Sequence, residues 1–350
     1  DGYTNLEEYV NEVAAWPAPT TIVFNGATNS RYAQITNWDA NPDAAFTHSW
    51  QPSRYDAAVI QNGTLVVDAV GQHAGNLAVA PSAGNNAALN VTAGWIEVAG
   101  ELQVGAAGQG TVNHTSGAVA ASAITLGGSG ANAAGVYQLS GVGLLRVGLL
   151  AKGASGGAFE FTGGTLSADV VDFSLVNQGG SISPGELLGL TEVDGDLTMQ
   201  GGSIDLQLAA VAPGGFDRLT VIGALAAGGA LNVMLVGSFA PAAGDSFDLL
   251  DFASASGAFA LNLPALPAGL AWDASELLTT GELAVAAAPL GDADFNGDGT
   301  VDGADFLAWQ RGFALVGQTD SGNGDANADG VVDAADLAVW QTQFGASAAQ

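Results

Sequence analysis

The sequence predicts a mainly β chain, a parallel β-solenoid (β-helix) or stacked β-domain, closed by a small all-α module. Three observations carry this. Charge nearly vanishes between Gly63 and Gly164, where only Asp68, Glu97, Glu101, Arg146, Lys152 and Glu160 remain. The same stretch reads as short strokes with apolar residues at every second position, which is the mark of half-buried strands. Composition then turns sharply acidic after residue 291, where the spacing of apolar residues becomes helical.

The whole chain bounds what these elements do. Among 350 residues, 6 are Lys or Arg and 35 are Asp or Glu, a formal net charge of -29. A chain this acidic repels phosphates and anionic lipid, so nucleic acid and membrane surfaces are excluded as partners. No apolar run reaches the ~18 residues of a spanning helix. Cysteine is absent, which removes disulfides, Cys-based zinc sites and thiol nucleophiles. No charged-then-apolar leader opens the chain, so a secretion signal is expected to have been removed or to lie upstream.

Residues 1–19 form an N-terminal helical segment with two readings. Asp1, Tyr3, Asn5 and Glu8 fit the second half of a calcium loop; equally, Thr4 and Glu7 fit the capping box of an ordinary helix. From 20 to 178 we expect the solenoid. Strokes such as Trp95-Ile96-Glu97-Val98, Val136-Tyr137-Gln138-Leu139 and Ala158-Phe159-Glu160-Phe161 alternate, with Gly, Asn and Ser between them. A sandwich would share these features. The solenoid is preferred because small residues fill narrow corners and each strand bonds to the coils above and below, although no fixed period emerges. Trp38, Trp50 and Tyr55 are read as an end cap in preference to a sugar platform. Residues 179–285 have a different texture and are read as a C-terminal β-domain or solenoid end. Within them Asp194-Gly195-Asp196 and Asp217-Arg218 are taken as corner and ion-pair residues. A linker at 286–291, the module at 292–345 and a tail at 346–350 complete the map.

The order of Gly179-Gly180-Ser181-Ile182, Val193-Asp194-Gly195-Asp196-Leu197 and Gly202-Ser203-Ile204-Asp205-Leu206, closing on Leu270-Ala271-Trp272-Asp273 and Gly281-Glu282-Leu283, resembles autotransporter-passenger-like β-solenoids of secreted, planctomycete-type proteins. The resemblance spans residues 20 to 285 and implies an extracellular or cell-surface scaffold, with no particular activity.

The motif that carries chemistry lies in the module. In an EF-hand frame, Asp294, Asn296, Asp298, Thr300, Asp302 and Asp305 take positions 1, 3, 5, 7, 9 and 12, with Gly299 at the turn. Asp325, Asn327, Asp329, Val331, Asp333 and Asp336 repeat the frame later in the module, with Gly330 at its turn. Such spacing aims alternate side chains and one carbonyl, at Thr300 or Val331, at a single point, as Ca²⁺ requires. Two calcium sites are expected here, and a third if the N-terminal half-loop is completed. The following helices repeat in step: Phe306, Trp309 and Phe313 match Leu337, Trp340 and Phe344 as one apolar face. The module is therefore expected to fold with calcium and to be disordered without it.

Asp at position 12 and one helix per loop make the module resemble the type I dockerin, a duplicated calcium loop–helix. That resemblance implies a cohesin-binding helix face with selectivity at the two residues before the closing Asp. Here those are Gly303-Ala304 and Ala334-Ala335, without the hydroxyl and bulky pairs of cellulosomal dockerins, so self-association or a neighbouring subunit competes with a cohesin-like partner. Asp1-Gly2-Tyr3-Thr4-Asn5-Leu6-Glu7-Glu8-Tyr9 is similar to tails that follow polysaccharide-lyase and other secreted catalytic domains, which implies a longer precursor.

Catalysis is not expected. No carboxylate cluster lies near Arg146 or Lys152 in sequence, and His48, His73 and His114 are isolated, with surface or turn roles. Asn62, Asn90 and Asn113 head glycosylation triplets. The chain is thus expected to be a non-catalytic structural or adhesive subunit of an extracellular fibre, sheath or matrix. The alternative is a spacer or glycan-binding segment that a dockerin-like module anchors within a carbohydrate-active enzyme.

Overall fold

The computed structural model describes residues 21–25, 29–39, 51–130, 132–185, 188–267, 270–287 and 291–345. The N-terminal half-loop residues Asp1, Tyr3, Asn5 and Glu8, together with Trp50 and His48, lie outside them. Two compact units divide the chain: a β body to Val285, and a second unit that holds Ala286–Gln350.

The body is a parallel β-solenoid with three strands per coil. One stack of strands begins at Thr21–Phe24, passes through Ala57–Ile60 and Asn76–Val79, and ends at the start of Leu250–Gly257. A second runs from Asn62–Val67 through Asn86–Val91, Gln109–His114 and Ala134–Leu139 to Ala158–Phe161 and beyond. The third starts at Gln72–Ala74 and finishes on Ser203–Leu208, Ala230–Leu235 and Ala260–Asn262. Long strands such as Trp95–Val104 belong to two stacks, because they bend at a corner and continue. Their alternation survives the bend: Ile96, Val98, Leu102 and Val104 are buried, while Glu97 and Gln103 point outward.

The corner itself needs glycine. A Cβ on Gly100 would stand 2.3 Å from the Asn76 side-chain oxygen, which accepts the Glu101 N–H at 2.8 Å. Coil length varies widely. Leu166 stacks on Ile182 across a short coil, whereas Leu219 stacks on Leu250 across a much longer one. Stacking constrains the strands and leaves the corners free to lengthen, so no sequence period is visible. The ladders also run through residue 179 without a break, for instance Asn177 to Met199 and Ile182 to Ile204. The change of texture there is a change of coil within one stack.

One inner row of the second stack reads Val67, Val91, His114, Leu139, Phe161, Asn177, Met199, all buried. This corrects the surface or turn role expected for His114. Its ring is fully buried, with Nδ1 2.9 Å from the Tyr137 hydroxyl and Nε2 3.1 Å from the Gly117 carbonyl. Both ring nitrogens are satisfied in the neutral form, and burial lowers its pKa below the ordinary histidine value. A depressed folded-state pKa makes the unfolded chain take up the proton first. His114 therefore contributes stability above about pH 6.5 that is lost as pH falls below it. Comparing the urea midpoint of His114→Gln with that of wild type at pH 7.5 and 5 should show wild type losing more on acidification.

Outward polar residues stack as ladders. Asn113 donates to the Asn90 side-chain oxygen at 2.7 Å, and Gln138 donates to Glu160 at 2.7 Å. Asn90 and Asn113 are thus half-buried rungs of one ladder; Asn62 is exposed and accepts the Asn86 N–H. Asp196 locks a corner by accepting the Ala224 N–H at 2.8 Å. Asp217 does not pair with Arg218. Fully buried, it accepts N–H groups from Gly189 (2.7 Å) and Gln207 (2.8 Å), and burial pushes its carboxyl up to about 6. Arg218 instead spans Asp248 and Asp251, at 2.6 and 3.0 Å.

At the N-terminal end Trp38 is fully buried against Tyr32 and Phe24, with ring centroids 4.8 and 5.6 Å away. Tyr55 is 61% exposed. Near the other end, Ser246–Asp248 pairs antiparallel with the start of Glu282–Ala287, enclosing Phe247 with Phe216, Phe239 and Trp272. No helix among the described residues is long and apolar enough to cross a membrane.

Candidate metal centre

Each loop is drawn tight by its own carboxylates. Asp294 at position 1 accepts the N–H groups of Gly297 (2.9 Å), Asp298 (3.1 Å) and Gly299 (2.8 Å). Gly299 at φ +88° and Gly297 at φ +71° supply the left-handed backbone that aims those amides inward. Asn296 accepts from the Asp298 N–H and donates to its carboxylate, at 2.8 and 3.0 Å. Bonds from the Thr300 hydroxyl (2.7 Å) and amide (3.0 Å), and then from Asn296, hold the Asp298 carboxyl below the usual range. The second loop repeats the scheme, with Asn327 on Asp329 and Asp329 on Val331.

Positions 9 and 12 double as helix caps. Helix α1 (Gly303–Gly312) and helix α2 (Ala334–Gln343) each open on a capping box. Asp302 accepts the Ala304 N–H at 2.7 Å and Asp305 accepts the Asp302 N–H at 2.8 Å; Asp333 and Asp336 do the same at 2.7 Å each. Asp305 and Asp336 are fully buried. The loop-closing carboxylate therefore turns inward because the helix N-terminus fixes it there, and a negative group at that end is also favoured by the helix dipole.

The apolar face expected from the sequence packs ring on ring, Trp309 on Phe306 and Phe313 at 5.6 and 5.3 Å and Trp340 on Phe344 at 4.9 Å, but it is not the module's core. Phe313 and Phe344 are C-caps beyond the last helical turn, 55% and 58% exposed. The buried core instead comes from loop and flanking residues, Ala293, Phe295, Val301 and Ala326, with Val339, and the indoles of Trp309 and Trp340 pack on it. In a module this small the loops and their flanks supply most of the interior. Gly303-Ala304 and Ala334-Ala335 are exposed.

One atom points to a ligand. Asp325 is 2% exposed; its Oδ2 accepts the Gly330 N–H at 2.9 Å, but its buried Oδ1 has no hydrogen-bond partner. Among the described residues the other buried side-chain atom of this kind, His73 Nδ1, lies 3.2 Å from Glu97. A partnerless carboxylate oxygen in a protein interior is costly unless a cation or water meets it. Asp325 borders a cleft also lined by Asp292, Asp320 and Ser321. Among the described residues, no three acidic or His side chains converge closely enough to hold a metal by themselves. An ion beside Asp325 would also draw on the amide oxygen of Asn327 and the carbonyl of Val331, and an ion in the first loop on those of Asn296 and Thr300, all-oxygen donor sets of the kind calcium takes.

Sequence reading missed one other juxtaposition. Coil stacking brings Glu97, Ser122, Arg146, Ser167 and Asp169 to one shallow groove on the solenoid. Glu97 is joined there by His73 at 3.2 Å and Arg54 at 3.7 Å. No sequence signal links residues so widely separated along the chain; only the strand register does.

No curated protein and no solved structure matches the chain. The family model described as the dockerin type I domain matches residues 292–343, the segment that holds both loops and both helices. The chain is a β-solenoid that carries a C-terminal dockerin-like domain.

Proposed function

We propose that this is a secreted, non-catalytic structural or adhesive protein of an extracellular fibre, sheath or matrix. In this reading its dockerin-like module binds two Ca²⁺ ions and, once ordered by them, joins the chain to a neighbouring subunit or a cohesin-like partner. The observation that carries the reading is the buried, partnerless Asp325 Oδ1 inside a loop where Asp325 Oδ2, Asn327, Asp329 and Asp336 already accept backbone N–H groups. Asp294, Asn296, Asp298, Asp302, Asp305 and the Thr300 carbonyl hold one ion; Asp325, Asn327, Asp329, Asp333, Asp336 and the Val331 carbonyl hold the other. Bound calcium supplies the positive charge that lets these carboxylates share one small volume.

The solenoid is the scaffold. Its sparsely charged outer faces, tied by amide ladders, suit close contact with like surfaces within a chain of net charge -29. The likeness of its closing coils to autotransporter passengers fits a role at or beyond the cell surface. Negative-stain microscopy with calcium and then with excess chelator tests the reading. Filaments or clusters that dissolve on chelation are expected; single short rods under both conditions would overturn assembly through the module.

A second reading has its own observation. The groove of Glu97, Arg146 and Asp169 combines charged groups and hydroxyls in the manner of a sugar-binding surface, which favours a glycan-binding accessory segment of a carbohydrate-active enzyme. Retention on a polysaccharide column that Arg146→Ala abolishes would support it.

A further inference from the structure

The two halves of the module are bonded crosswise. The Trp309 indole N–H donates to the Asp333 carbonyl at 2.8 Å, and the Trp340 indole N–H donates to the Asp302 carbonyl at 2.9 Å. Just past the helices, the Ala314 N–H donates to Val332 at 2.8 Å and the Gly345 N–H donates to Val301 at 2.9 Å. Each donor and each acceptor has its counterpart at the same place in the other loop–helix repeat, so the bonds form reciprocal pairs. Residues 301–302, which end the first loop, are thus tethered to the second helix and its exit. Residues 332–333, which end the second loop, are tethered to the first. Phe306 links the two indoles, its ring centroid 5.6 Å from Trp309 and 5.1 Å from Trp340.

We infer that the two loops load calcium as one cooperative unit, with Trp309 and Trp340 as the positioning residues that couple them. The inference rests on the calcium reading given above. Asp302 and Asp333 are at once helix N-caps, members of the loops and recipients of the opposite indole. Filling one loop fixes its N-cap peptide. That fixes the carbonyl on which the other helix's indole depends, and hence the orientation of that helix and of the closing carboxylate at its start. Neither tryptophan touches the ion; each acts through the peptide it holds. Linkage makes the coupling equal in both directions.

Calcium titration by calorimetry on the full chain tests this, using wild type, Trp309→Phe, Trp340→Phe and the double variant. Phenylalanine keeps a ring on the core and removes only the N–H. Wild type is expected to fill both loops in one steep transition, and the double variant to show two separable sites with the coupling reduced by about five-fold or more. Amide hydrogen exchange at Gly297, Asp298 and Gly299 gives a second readout. Asp329→Ala in the second loop should deprotect these first-loop amides at a fixed sub-saturating calcium level, and should do so less in the Trp309→Phe background, which lacks the indole bond to Asp333. If the double variant fails to fold, this exchange comparison in the single variants still decides. Two independent sites in wild type, or coupling that both substitutions leave unchanged, would overturn the inference. Absence of calcium binding by wild type would instead defeat the reading on which it rests.

Discussion

Chelating calcium from the full chain is expected to melt α1 and α2 while the solenoid unfolds where it did before. Among the described residues, the module's buried apolar side chains are Ala293, Phe295, Val301, Ala326, Val332 and Val339. Against them stand the four carboxylates that each loop carries within twelve residues, Asp294, Asp298, Asp302 and Asp305 in the first. So small a core does not offset that concentration of charge unless a cation neutralises it. Each site contributes about 2.7 kcal/mol when free calcium is a hundred times its dissociation constant. That is enough to decide whether a unit this size folds. Asp325→Ala should produce much of the same loss at any calcium level, because it deletes the carboxylate whose Oδ1 has no protein partner. The helical signal in far-ultraviolet circular dichroism, followed with and without chelator, checks both. A solenoid transition that moved with the helices would mean that the calcium term had been assigned to the wrong unit.

The largest expected effect in the solenoid is that of Trp38→Ala. The side chain is fully buried, packs edge-on to Tyr32 and Phe24, and donates its indole N–H to the Tyr32 carbonyl at 2.8 Å. Tyr32 in turn donates its hydroxyl to the His73 carbonyl at 2.5 Å, and its backbone N–H to Val66 at 2.8 Å. Truncating a buried Trp costs about 3–5 kcal/mol. In a stacked solenoid, where each coil contacts mainly its neighbours, that cost falls on the first coil. Residues 29–39 should exchange freely while coils beyond Gln109 stay protected. The exposed edge of Asn62–Val67 should then promote aggregation, since an unpaired strand templates others. Trp38→Phe, which keeps a ring and loses the hydrogen bond, should cost about 1 kcal/mol at that bond. Hydrogen exchange with mass analysis distinguishes the local loss from a uniform one.

How much was legible in the sequence depends on the range of the determining contacts. The loops were legible because the residues of each lie close together in the chain and Asp325 to Asp336 repeat the frame of Asp294 to Asp305. The strands were legible because alternation is local: Trp95 to Val98 already states which side is buried. Corners are where reading failed. Coils differ widely in length, set by loops that the stacked strands do not constrain, so the stack had no period to find. His114 is polar by type, and only the register of Val91, His114 and Leu139 places it inward. The spacing of Phe306, Trp309 and Phe313 is truly helical, but the helix stops at Gly312, and Phe313 leaves it with φ -51° and ψ 130°. The groove around Arg146 joins residues from successive coils, a relation carried by stacking alone.

Native mass spectrometry of the full chain in calcium-containing volatile buffer tests the central claim most directly, because it counts ions on each molecule. Wild type should carry two calcium ions, and Asp325→Ala should carry fewer than two. A chain that carries no calcium at millimolar concentration, with α1 and α2 formed all the same, would contradict the calcium reading.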